Sequence, residues 1–352
     1  MFIGQTFSDE DAKDFLINFS KELDSPFEVM KNTKVERFCE GGQSLPLNIN
    51  NEYVVRIPRS QGCLDEMKKE SAITKICAKH IHHTNISNVS IFEYKGLGFA
   101  VHKSINGKTM DINERPNNVH YHQLSDKQKD VLAKDLGRFF SEMHQIPIKE
   151  MAQFSGNGVD YFQKSNFWGN KNTLLKQGIN LSNYIPDDKD DLVCCHNDLH
   201  GRNIAIDESK THVLQGVFDF GMCGINRRSA DFVKLYTIDR ELARKTMEAY
   251  NKISPQQVSI KNADGQFLAW CATNIKMAES LSEEDRKKMM KSINTYLNNF
   301  KNDRDKELNS KTSKFEKRNK LMELRGLSMR EISAPINKTS IDRVYANMQQ
   351  GR

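Results

Sequence analysis

Residues 193–221 read VCCHNDLHGRNIAIDESKTHVLQGVFDFG, and the architecture of the chain can be built outward from them. Val193-Cys194-Cys195 is a short apolar run of strand composition, after which His196-Asn197-Asp198 opens a polar loop. Asn203 lies five positions beyond Asp198 and begins the alternating segment Asn203-Ile204-Ala205-Ile206-Asp207. Glu208 to His212 is polar, and Val213 to Phe218 is apolar with β-branched positions. Two such runs around a polar turn predict a β-hairpin. The hairpin returns Asp219 to the edge that carries Asn203.

Those residue types suit phosphoryl transfer. Transfer of a nucleotide γ-phosphoryl group passes through a loose transition state, so the protein mainly positions groups and neutralises charge. Magnesium is a hard ion in octahedral oxygen coordination, satisfied by one carboxylate and one amide oxygen together with phosphates and water. Asp219 and Asn203 are the expected ligands. Asp198 is the expected base, a loop carboxylate that would meet the incoming hydroxyl, orient it and take its proton. Any one of these residues alone reads as a polar turn with a helix-capping aspartate. H-x-D-x-x-x-x-N followed by a strand-borne D-F-G is far more specific.

On these residues the chain resembles the aminoglycoside phosphotransferase family, the antibiotic-kinase branch of the protein-kinase-like fold. The resemblance covers roughly residues 25–300. It implies an α+β bilobal fold, with a small β-rich N-lobe over a larger helical C-lobe. It also implies that His196 is the loop histidine, Asp198 the catalytic aspartate, and Asn203 and Asp219 the Mg2+ ligands. Asp231, in Ser229-Ala230-Asp231-Phe232, is then similar to the family's later aspartate, which supports the catalytic loop from the following helix. Read locally, Asp231 is equally an N-cap of that helix.

Upstream, Glu40-Gly41-Gly42-Gln43-Ser44 and the polar turn Asn48 to Glu52 precede the strand Tyr53-Val54-Val55-Arg56-Ile57-Pro58-Arg59. Strand period two puts Val54 and Arg56 on one face, an apolar side chain for a base and a cation for phosphates. Glu70, in a segment of helical composition, is the expected partner of Arg56. Residues 53–73 are similar to the subgroup that phosphorylates the 2″-hydroxyl of aminoglycosides, in which the strand cation is often lysine. Arginine keeps the charge and can hold phosphate at two points. Gly41-Gly42 reads as a hairpin turn, since the full Gly-rich kinase loop is absent, and Ser44 is expected to offer a hydroxyl or an N–H to phosphate. Gly98 to Gly107 reads as a strand leaving the small lobe. The resemblance makes this the hinge, whose backbone around Lys103 and Ile105 binds the base edge, and it leaves ATP and GTP open.

With 352 residues and 38% apolar content, the chain can bury a sizeable two-lobed core. The expected organisation is a nucleotide-binding lobe at 1–104, a catalytic and substrate lobe at 105–300, and a basic, partly helical extension at 301–352. No run approaches the roughly 18 apolar residues of a membrane span, and the N-terminus lacks a secretory pattern. Seven cysteines without a C-x-x-C pair argue for reduced thiols and a cytoplasmic enzyme. Cys194-Cys195 reads as core packing, and His80, His82 and His83 as a solvated loop rather than a zinc site.

Asp126 to His144 carries apolar residues at helical spacing, and a further helix is expected after the cap Ser282. Residues 301–352 hold 13 Lys or Arg against 7 Asp or Glu, a balance of +6, while residues 1–300 hold 39 of each. Mixed signs predict a solvated helix around Lys314 to Leu327 rather than a nucleic-acid surface. The tail from Asn337 is a candidate docking peptide for a partner. As acceptor, a hydroxyl compound is expected. Asp264, Glu279, Glu283, Glu284 and Asp285 are the acids available for a cationic aminoglycoside, and Arg227-Arg228 argues against one. The alternatives are a small-alcohol or protein kinase of the same fold, or a kinase-like binding module.

Overall fold

The computed structural model describes residues 9–22, 25–30, 32–37, 44–111, 118–154, 164–184 and 191–324. The expected Gly41-Gly42 turn and the Asn337–Arg352 tail lie outside them. The chain divides into two compact units, Met1–Leu297 and Asn298–Arg352.

The first unit begins with helix α1 (Asp9–Phe19), strands β1 (Val35–Arg37), β2 (Ser44–Ile49) and β3 (Tyr53–Pro58), helix α2 (Gln61–His80), and strands β4 (Ser90–Tyr94) and β5 (Leu97–Lys103). These strands form one antiparallel five-stranded sheet in the order β1-β2-β3-β5-β4. The β2–β3 turn places Asn50 and Asn51 at φ 53 and 60, the left-handed region that asparagine tolerates in tight hairpins. Period two then sorts the faces. Leu45, Leu47, Ile49, Val55, Ile57, Phe99 and Val101 form one buried cluster with Ala12, Leu16 and Phe19 of α1. Val54, Arg56, Ala100 and His102 alternate with these residues, and the register pairs Val54 with His102 and Arg56 with Ala100. Met67 of α2 packs with Ala100 on this second face. Helix α2 starts where Ser60 accepts a hydrogen bond from Cys63 N, a side-chain cap for an otherwise orphaned donor.

Beyond β5 come strand β6 (Lys108–Thr109) and helices α3 (Val119–Gln123), α4 (Asp126–Met143), α5 (Ile148–Met151) and α6 (Lys164–Leu175). Strands β7 (Leu192–Cys195), β8 (Ile204–Ile206), β9 (Leu214–Val217) and β10 (Gly224–Arg227) follow, then helices α7 (Arg240–Ile253), α8 (Ile260–Ala278) and α9 (Glu283–Leu324). The predicted hairpin is β8–β9, antiparallel with Ile204 opposite Val217. The predicted helix over 126–144 is α4, closed by a capping box between Ser125 and Gln128. Gly137 of α4 lets α7 come close: a Cβ there would lie 2.9 Å from Tyr250 N and 3.0 Å from Thr246 O.

Three local expectations change. The segment after β10 is a 3-10 run, Arg228–Thr237, whose N-cap position is Arg227, so Asp231 is inside the run and is not its cap. Arg228 is buried and forks onto the carboxylate of Asp191 at 2.7 and 2.6 Å. It therefore cannot serve as the cation that repels an aminoglycoside. The helix after Ser282 and the basic helical stretch are one helix, α9. Cys194 and Cys195 are fully buried, and none of the described cysteines forms a disulfide. His80 and His83 pair with Glu150 and Glu142. Among the described residues no helix is long and apolar enough to cross a membrane.

Candidate active site

Strand β7 delivers the chain into the loop His196–His200, and its antiparallel partner β10 sets Gly224 opposite Cys195. The loop and the D-F-G segment are thus held side by side. Asn197, at φ 65, donates to Met222 O at 3.0 Å and accepts from Asn226 Nδ2 at 2.8 Å. His196 is fully buried, and its Nδ1 faces Asp198 N at 3.4 Å while Nε2 faces Phe218 O at 3.3 Å. These two contacts hold the ring in place between the loop and the segment that leads to Asp219.

Asp231 fastens the loop from below. Its carboxylate accepts from His196 N at 3.0 Å and Asn197 N at 2.8 Å, and meets His144 Nε2 at 3.1 Å. All three partners aim N–H groups at one fully buried carboxylate, a charge-assisted arrangement. Donor atoms of His144, Cys195 and Asp231 lie within 4.8 Å of one another, but both Asp231 oxygens are committed to N–H donors. The group reads as a hydrogen-bonded buttress rather than a metal centre. Burial outweighs the Asp231 interaction and holds the His144 pKa below its usual value.

Asn203 closes a 3-10 turn, Gly201–Asn203, and its Nδ2 donates to Asp198 O at 2.9 Å. Its amide oxygen therefore points away from that bond. Asp219 sits at φ 67, two residues past the end of β9, and is exposed. Although solvent reaches it, desolvation by the surrounding protein and then the Glu70 charge push its carboxyl upward. A carboxylate and an amide oxygen on neighbouring turns, one of them electrostatically crowded by acids, are a donor set that fits a hard divalent cation.

Glu70 of α2, 3% exposed, joins the sheet to this segment. Its Oε2 meets Arg56 Nη2 at 2.5 Å and its Oε1 accepts from Phe220 N at 3.3 Å. Arg56 Nε is buried without a hydrogen-bond partner, a donor that a bound anion would satisfy. Val54, beside Arg56 on the inner face, is 9% exposed. Ser44 stands at the start of β2 opposite Pro58, and Lys103 ends β5 opposite Tyr53. The sequence-predicted residues Arg56, Glu70, His196, Asp198, Asn203, Asp219 and Asp231 thus meet through direct bonds or neighbouring turns. Ser44, Lys103 and Ile105 sit along strands and their ends, with no side-chain bond to that set.

Sequence reasoning missed two neighbours of Asp198. Lys234 Nζ lies 2.9 Å from its Oδ1, and His200 Nε2 lies 3.6 Å from its Oδ2. Burial pushes the Asp198 carboxyl upward, but Lys234 and then His200 and His196 outweigh it, and the net pKa is lowered. His200 carries a signal, being two residues from Asp198. Lys234 carries none, because only the 3-10 run brings it there. His102 was also missed, on the inner face beside Val54.

A family model described as "Phosphotransferase enzyme family" matches residues 47–258. Three solved structures share the fold. One is aminoglycoside 2'-phosphotransferase-IIIa in its GDP complex, 16% identical at a TM-score of 0.62, covering 82% of this chain and 98% of that one. Another is the ADP-bound aminoglycoside phosphotransferase APH(2'')-Ib, at 21% identity and a TM-score of 0.53 over 76% and 93%. The third is macrolide 2'-phosphotransferase MphH from Brachybacterium faecium, 12% identical at a TM-score of 0.57 over 80% and 98%.

Proposed function

This chain belongs to the phosphotransferase enzyme family, and from that premise we propose that it moves the γ-phosphoryl group of ATP or GTP to a substrate hydroxyl. The observation that carries the reading is Glu70, which bonds Arg56 on one side and the D-F-G turn on the other. One buried carboxylate thereby ties the phosphate-facing strand to the segment bearing Asp219.

In this reading Asp198 accepts a hydrogen bond from the acceptor hydroxyl and takes its proton as the new P–O bond forms. The bond from the γ-phosphorus to the bridging oxygen breaks, leaving a nucleoside diphosphate. Asn203 and Asp219 hold Mg2+, which when bound neutralises phosphate charge. Arg56 supports the phosphates together with Ser44. Val54 packs against the base, whose edge meets backbone groups around Lys103 and Ile105. His196 and Asp231 keep the loop in position. We assign residues 1–104 to the nucleotide lobe, 105–300 to the catalytic and substrate lobe and 301–352 to the basic extension, and we place the enzyme in the cytoplasm.

The test incubates the protein with labelled ATP or GTP and magnesium against aminoglycosides, small alcohols and proteins. Transfer that disappears in Asp198→Asn supports the reading. If Asp198→Ala still binds a partner and wild type turns over no nucleotide, the protein is a kinase-like binding module instead.

A further inference from the structure

Asp198 has two charged neighbourhoods, one around Asp219 and one around Lys234. In the first, Asp219 neighbours Glu70 and Arg56, where nucleotide and metal belong. In the second, Lys234 reaches from the 3-10 run to Asp198 Oδ1 at 2.9 Å while its Nζ stands 5.3 Å above the ring of Trp270 in α8. Trp270 continues an aromatic wall, stacked on Phe267, which is stacked on Tyr236. In the proposed reaction this is the side from which the acceptor approaches Asp198.

Lys234 is 17% exposed on its side chain. An ammonium has three donors, and Asp198 takes one. The acid nearest this wall, Asp264, is already engaged by Tyr236 OH at 2.7 Å and Arg240 at 3.2 Å. Glu283 and Glu284 pair with Lys287 and Lys288, and the Asp285 carboxylate accepts from Ser282 Oγ at 2.6 Å. Of the acids offered for a polycation, Asp264 is buried and engaged inside the protein, whereas Glu283 and Glu284 are exposed and pair with lysines of their own helix. The group left beside the base is a cation backed by an aromatic face, which a second ammonium would meet as repulsion and an anion as attraction.

Resting on the phosphotransferase reading, we propose that Lys234 sets the acceptor class: the hydroxyl compound phosphorylated here carries an anionic group beside its reactive hydroxyl, and Lys234 binds that group. An incoming anion takes the ammonium donors that Asp198 does not use, and it draws the hydroxyl to the neighbouring Asp198 carboxylate. Lys234 is thus a specificity-determining residue, and it disfavours polycationic aminoglycosides.

The test uses three probes, glycerol 3-phosphate, glycerol and kanamycin, on the full chain loaded with ADP and magnesium. Calorimetry reads binding independently of turnover. Glycerol 3-phosphate should bind wild type at least tenfold more tightly than it binds Lys234→Glu, and kanamycin should show the reverse order. Lys234→Arg should restore the wild-type order, which a merely structural role would not produce. Kanamycin binding wild type at least as tightly as glycerol 3-phosphate, or an affinity order unchanged in Lys234→Glu, overturns the proposal. Failure of the phosphotransferase reading would show separately, as no transfer of label from nucleotide to any acceptor or to water.

Discussion

Glu70 shows how much can rest on one side chain. It is nearly inaccessible, and a buried carboxylate is tolerated only when paired and hydrogen-bonded. Arg56 and Phe220 N supply both needs. Removing either member of the ion pair alone strands a charge, so Arg56→Met and Glu70→Gln should couple. A double-mutant cycle on urea unfolding should give an interaction of about 1–3 kcal/mol, and additive effects would argue that the pair is incidental. His102 gives a second prediction. Desolvation, then the charge of Arg56, lowers its pKa from 6.5 to about 4. The unfolded chain therefore binds a proton below pH 6.5 that the folded chain refuses until near pH 4. Stability should fall as pH drops through that window, by about 1.4 kcal/mol per unit for this group, and be indifferent to it above. Urea midpoints at pH 7.5, 6 and 5 check this, with a shallower slope expected for His102→Gln.

At the scale of elements, legibility followed locality. Hairpin β8–β9 and helix α4 could be read because alternation, polar turns and helical spacing are properties of neighbouring residues. Val54 and Arg56 could be placed on one face for the same reason. The 3-10 run Arg228–Thr237 could not, since nothing in its composition separates a 3-10 from an α-helix. That difference is why Asp231 looked like a cap, why Arg228 looked like a surface cation and why Lys234 went unnoticed. Packing between elements is equally hidden. Gly137 would read as a weak spot in α4 that alanine improves by about 1 kcal/mol. Because a Cβ at this position would meet α7 backbone atoms within 3.0 Å, Gly137→Ala should instead lose about 1–3 kcal/mol through overpacking. A rise in thermal midpoint for this variant would show that α4 and α7 can separate without penalty.

Among the described residues, Glu70 links the sheet and α2 to the helical region through Phe220 N. A nucleotide bound at that junction stabilises the native state and not the unfolded one. At 100 times its dissociation constant it should add about 2.7 kcal/mol to unfolding. The shift should shrink in Glu70→Gln and persist in Asp198→Asn, because Asp198 is assigned to the acceptor and not to the nucleotide. Loss of the shift in Asp198→Asn would misplace that residue. The net charge of the chain resides in residues 301–352, so this nucleotide effect should survive at ionic strengths that screen the tail.

The most direct measurement is transfer of label from the γ-position of ATP or GTP, with magnesium, by wild type and Asp198→Asn side by side. The account predicts transfer to a hydroxyl acceptor by wild type and a loss of roughly 100- to 10,000-fold in the variant, with nucleotide affinity retained. Equal transfer by both proteins, or no transfer by wild type to any acceptor including water, would contradict it.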